Sequence, residues 1–125
     1  MKETGRPVSP HVTIYQFPIG ALSSITNRVT GVCLSLGAFG LGGIELLSSG
    51  SALQLMQYLG SGGFLFTTAA KFTVAFPVTY HYFAALRHFA WDNIPDKLTN
   101  PDVETSSYQL YGASILVSSS LALFV

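Results

Sequence analysis

From about Ser23 to Leu47 the chain carries only two charged side chains, Arg28 and Glu45, one near each end. A helix of that length covers a hydrocarbon core of about 30 Å, and few other structures can hold so apolar a run. Two further stretches repeat the pattern, from about Phe64 to Phe89 and from about Ser107 to Val125. The expected fold class is therefore an all-α membrane protein: three transmembrane helices over 23–125, preceded by an extended N-terminal arm over 1–22. Composition agrees, because 10% of residues are charged against roughly 25% in soluble domains. The formal net charge is zero, which gives no footing for nucleic acid. Cys33 is the only cysteine, so neither an internal disulfide nor a cysteine-rich metal centre can form.

In the N-terminal arm, Pro7, Pro10 and Pro18 each disfavour helix at the preceding residue, so an extended path is expected. Ile14, Tyr15 and Phe17 give it apolar side chains to set against a partner or the headgroup layer. No targeting peptide is read there, because an apolar signal core and an arginine-rich amphipathic helix are both missing from the arm. The segment 48–63 is uncharged and reads as a loop, and 92–106 as a polar connection with Pro95, Pro101 and four acidic residues. Pro77 removes a helical donor for the Thr73 carbonyl and predicts a kink one turn before His81. Three spans put the arm and the second connection on one side. Lys2, Arg6, Arg28, Arg87 and Lys97 belong to that side and only Lys71 to the other, so it is the inner one.

Two helical faces carry candidate chemistry. Ser24, Arg28, Gly31 and Ser35 follow an i, i+4, i+7, i+11 stripe on the first span. Ser23 or Ser24 also reads as a helix cap and Arg28 as a cation snorkelling to the interface; Ser24 and Arg28 together also suit a polar headgroup. Gly37, Gly40 and Gly43 offer a small-residue face for close helix packing, and on the third span Ser114, Ser118, Ser119 and Ser120 are available for contacts. On the second span His81 and His88 lie two turns apart on nearly one stripe, with Ala84 and Ala85 between them leaving room for a flat, bulky group. An intramembrane histidine reads either as a buried hydrogen-bonded side chain or as a cofactor ligand.

Three blocks of sequence then carry a resemblance. Arg6-Pro7-Val8-Ser9-Pro10-His11-Val12-Thr13-Ile14-Tyr15, Ser24-Ile25-Thr26-Asn27-Arg28-Val29-Thr30-Gly31, and Tyr80-His81 with Arg87-His88-Phe89-Ala90-Trp91-Asp92 resemble, in order and spacing, the large cytochrome b membrane anchors of succinate dehydrogenase (respiratory complex II). Thr68-Ala69-Ala70-Lys71-Phe72 is similar to the mitochondrial members. The resemblance implies that His81 is an axial ligand to the iron of haem b, with the second ligand from a small anchor subunit. It implies that Ser24 and Arg28 line a ubiquinone site, completed by the small anchor and the iron–sulfur subunit. Electrons from succinate reach that quinone through a flavoprotein subunit and the iron–sulfur subunit. The chain has no glycine-rich nucleotide motif and no cysteine cluster of its own. His88 is a further candidate, for a haem propionate.

Two positions depart from the family pattern: Asn27 stands where histidine is usual, and Ala85 where glycine is usual. Asparagine can donate a hydrogen bond but cannot carry a proton near neutral pH. The implied location is a mitochondrial inner membrane with the N-terminus on the matrix side, a bacterial inner membrane being the alternative. The competing functions are the anchor of a fumarate reductase and a structural anchor that binds lipid and partner subunits but no haem.

Overall fold

The computed structural model describes residues 5–125, and among these every regular element is helical. Four α-helices follow one another: α1 (Ile19–Leu47), α2 (Ser51–Gly60), α3 (Phe64–Asn93) and α4 (Asn100–Phe124). Short 3₁₀ turns at His11–Thr13 and Pro95–Lys97 punctuate the arm and the α3–α4 connection. The arm is thus extended only in part. Lys2, counted in the charge asymmetry, lies outside the described residues.

The three long helices have 29, 30 and 25 residues, or about 37–45 Å at 1.5 Å per residue. Each starts earlier than, or outlasts, the span expected from hydropathy. α1 begins just after Pro18, whose fixed φ and missing N–H suit the edge of a helix. Ser23 and Ser24 therefore lie inside the helix and cap nothing. α4 starts at Asn100, within the expected polar connection, because Thr99 forms its cap. The Asp102 N–H donates to Thr99 Oγ1 at 3.4 Å, which serves one free donor of the first turn, and the Thr99 hydroxyl donates to the Asp102 carboxylate at 2.6 Å and so holds the cap in place. α3 runs through Pro77 without a break in its helical assignment.

The segment expected to be a loop holds α2. Gly50 turns the chain in the left-handed region at φ 83°, where a side chain would be strained. Glu45 then caps the new helix, its carboxylate accepting from the N–H groups of Gly50 at 2.7 Å and Ala52 at 3.2 Å. The negative charge meets the positive end of the α2 dipole.

α3 packs against both α1 and α4. Close contacts between Gly20 and Val103, Ser23 and Ser107, and Thr26 and Tyr111 step along α1 and α4 in the same direction. Those of α3 with α4 run the opposite way, Arg87 to Ser107 and Thr79 to Ser118. The bundle is therefore up–down–up. Its core is small and unusually polar: Tyr80, Ala84, Leu110 and Ala122 are the buried apolar residues, beside Ser23, Thr30, Thr79, Ser107, Ser114 and Ser118. Large apolar side chains point outward, as with Val29, Val32, Leu36 and Phe39 on α1 and Val78, Tyr82 and Leu86 on α3. Among the described residues only Ile19–Leu47 is long and apolar enough to stand as a membrane span by composition. α3 and α4 fall short because their inward faces are built from hydroxyls, tyrosines, Arg87 and His81.

Candidate functional site

The inward polar groups of α1, α3 and α4 meet near the start of α1. The hydroxyl of Ser23 donates to the Gly20 carbonyl at 2.8 Å, and that of Ser107 to the Val103 carbonyl at 2.7 Å. With both protons engaged, the two oxygens, 3.1 Å apart, turn lone pairs toward a shared donor. That donor is the Arg87 guanidinium, with Nη1 3.0 Å from Ser107 Oγ and Nη2 3.2 Å from Ser23 Oγ. Trp91, one turn along, stacks beneath it with its ring centre 4.5 Å from Cζ. Tyr80 donates to the Ser23 carbonyl at 2.9 Å, and Tyr111 meets the Thr26 hydroxyl at 2.6 Å. One guanidinium thus ties three helices together. In sequence Arg87 reads as a marker of the membrane boundary, Ser23 as a candidate helix cap and Ser107 as the start of the third span; the i, i+4 pair Arg87–Trp91 is the available signal.

His81 faces the next turns of α1. Its Nδ1 lies 3.2 Å from the Asn27 carbonyl and 3.5 Å from Thr30 Oγ1. A carbonyl can only accept, so Nδ1 is the donor, and in the neutral ring Nε2 keeps its lone pair. The Thr30 hydroxyl donates to the Thr26 and Asn27 carbonyls, both at 2.9 Å, which leaves it an acceptor toward the imidazole. Gly31 makes this approach possible: a Cβ there would lie 3.1 Å from His81 Cε1. The glycine of the expected open stripe is in fact covered by the histidine ring.

The structure brings Ser24, Arg28 and His81 to adjoining turns. Asn27, whose carbonyl receives His81, immediately precedes Arg28, and Ser24 lies one turn before that. Ser24 is half-buried and Arg28 exposed. Ser35, the last member of the stripe, is exposed and donates to the Gly31 carbonyl at 3.0 Å. Among the described residues the Asn27 side-chain oxygen is buried without a donor.

Other expected features separate. Ala84 is fully buried with Tyr80 and Leu110, so it leaves no room beside His81; only Ala85 stays exposed on that side. His88 is exposed and makes an edge contact with Trp91, ring centres 5.4 Å apart. A Cβ added at Gly37, Gly40 or Gly43 would meet nothing within 4 Å, so their small-residue face packs on no other helix of this chain. The structure also holds a cavity of about 350 Å³ beside Arg87, edged by Trp91, Lys97, Asp102 and Gln109. A second, apolar cavity of about 450 Å³ lies between α2, α3 and the end of α4, with Lys71 on its wall.

Comparisons with known proteins agree with one another. Residues 2–121 match the family described as succinate dehydrogenase/fumarate reductase transmembrane subunit. The chain is 39% identical over its whole length to the mitochondrial succinate dehydrogenase cytochrome b560 subunit of Dictyostelium discoideum, spanning 65% of that protein. It is 38% identical to the corresponding Sus scrofa subunit and 37% to the Homo sapiens one, in each case over 95% of this chain and 71% of the relative. A profile match over nearly all residues, joined to relatives at this identity, places the chain in the family of succinate dehydrogenase/fumarate reductase transmembrane subunits.

Proposed function

We propose that this chain is the large anchor subunit of a mitochondrial succinate:ubiquinone oxidoreductase, crossing the inner membrane three times with its N-terminus on the matrix side. It holds haem b through His81 and lines a quinone site with Ser24 and Arg28. The observation that carries the reading is the placing of His81: Nδ1 donates to a backbone carbonyl, which in the neutral ring would leave Nε2 for iron. His11 belongs to the arm and His88 is about 10 Å along the same helix, so a second imidazole for haem b would come from another chain, the small anchor. The iron–sulfur and flavoprotein subunits supply the path from succinate, and the outward apolar faces of the helices meet lipid and the small anchor.

Haem b, when bound, supplies a one-electron redox centre beside the quinone. The chain's own residues bind, orient and compensate charge. Ubiquinone gains two electrons and two protons, and negative charge grows on its carbonyl oxygens. The Ser24 hydroxyl hydrogen-bonds one carbonyl. Arg28, one turn on, stabilises the developing charge, and such donors count most where water is scarce.

Ser24→Ala and Arg28→Leu, tested separately in the assembled complex, are expected to lower succinate–quinone activity at least tenfold. Succinate oxidation by an artificial acceptor at the flavin stays intact. Unchanged quinone kinetics in both variants would overturn the assignment. The family description covers fumarate reductase as well; the direction is decided by comparing turnover with ubiquinone and with a low-potential quinol. A reduced b-type absorption band in the complex separates this reading from a haem-free anchor.

A further inference from the structure

We infer that Gly31 and the Asn27 backbone carbonyl are the positioning groups of His81, fixing its imidazole against α1 and tuning it as a ligand. The inference rests on the reading of His81 as a haem ligand and adds what sets that ligand's orientation and strength. Three observations meet. The ring lies so close to Gly31 that a Cβ would come 3.1 Å from Cε1 and 3.5 Å from Nδ1. Nδ1 lies 3.2 Å from the Asn27 carbonyl. The Thr30 hydroxyl donates to that same carbonyl at 2.9 Å and so competes with the imidazole for its lone pairs.

A hydrogen bond from the remote nitrogen to a carbonyl makes an imidazole a stronger donor and holds its ring plane. A stronger donor favours ferric over ferrous iron and lowers the reduction potential. An alanine at position 31 displaces the ring by a few tenths of an ångström and lengthens the bond from Nδ1, so the potential rises. A valine at position 30 keeps nearly the same shape but strips the competing hydroxyl from the Asn27 carbonyl, and the gain to that 3.2 Å bond outweighs the lost 3.5 Å contact between Nδ1 and Thr30 Oγ1. The imidazole then donates more fully, and the potential falls. The two changes act in opposite directions through one carbonyl, whereas general damage to the bundle would move both the same way.

The test uses the whole complex, with the haem midpoint potential from a redox titration and the highest g-value of the ferric haem from electron paramagnetic resonance. Gly31→Ala is expected to raise the potential and shift the g-value while the haem remains low-spin. Thr30→Val is expected to lower the potential. Gly37→Ala, at a position with open space around it, is expected to change neither. If Gly31→Ala does not assemble, the Thr30→Val shift decides: a downward shift supports the inference, and an unchanged or raised potential overturns it. An unmoved potential and g-value in assembled Gly31→Ala also overturn it. His81→Leu is the separate arm. A low-spin haem surviving there refutes the ligand reading itself, whereas haem loss there with a silent Gly31→Ala refutes only the positioning role.

Discussion

His81 and His88 share a helix stripe but not an environment. His81 is half-buried, anchored at Nδ1 by α1, whereas His88 is exposed and touches Trp91. Replacing His81 with Leu is expected to abolish the bis-histidine low-spin haem spectrum, and His88→Leu to leave it unchanged. Absorption and electron paramagnetic resonance spectra of the assembled complex check both. Quinone reduction is expected to survive in part in the His81 variant, because the proposed quinone site uses other side chains, Ser24 and Arg28. The sequence made His81 legible through its place in an apolar run and its motif. It hid the partner, because backbone carbonyls carry no letter of their own. Gly31 was visible as a gap in a stripe, but only packing shows that the gap is filled by an imidazole rather than left open.

At the scale of helices, the cohesion of this bundle comes from hydroxyls and one guanidinium. Hydrogen bonds between membrane helices average about 0.6 kcal/mol, and bonds to a charged group about 1.5–3 kcal/mol. Arg87 serves α1 and α4 at once through its planar fork, which a lysine cannot reproduce. Arg87→Leu is therefore expected to cost about 1–3 kcal/mol and to lower the thermal stability of the assembled complex by several degrees, with Arg87→Lys restoring only part. A thermal melt followed by haem absorbance checks this. A melting point unchanged in Arg87→Leu would show that the clamp carries no weight. Hydropathy found the three long helices but misplaced their ends, since capping by Thr99–Asp102 and the edge at Pro18 outrank apolarity there. It missed α2 altogether: that helix depends on Glu45, five residues upstream of the turn at Gly50. It also could not tell Ser23 from Ser24, because neighbouring hydroxyls on one helix differ only in what stands opposite.

Taken as a whole, the chain buries four apolar residues among those described and leaves Leu36, Phe39, Leu65 and Leu116 each more than two-thirds exposed. A large outward apolar surface of this kind marks contact with lipid or partner subunits. The stripe Val29, Val32, Leu36 and Phe39 on α1, next to the bare Gly37 and Gly40, is one such face. The chain alone is expected to be unstable in detergent and to persist only with its partner subunits. A size-exclusion profile showing a monodisperse, haem-loaded monomer would count against this.

The inversion of polarity in α4 has a consequence for how the protein is made. Its buried face is Ser107, Leu110, Ser114, Ser118 and Ala122, while Ile115, Leu116, Leu121 and Phe124 lie outside. A serine inside a lone helix can return its hydroxyl proton to the carbonyl one turn back, as Ser114 does to Leu110 at 2.7 Å, so such a helix needs no companion to satisfy those groups in lipid. Insertion and assembly then become separate events in time. On the proposed three-span reading the helices are free to insert singly, the hydroxyls of α4 meeting α1 and α3 afterwards by sideways diffusion in the bilayer.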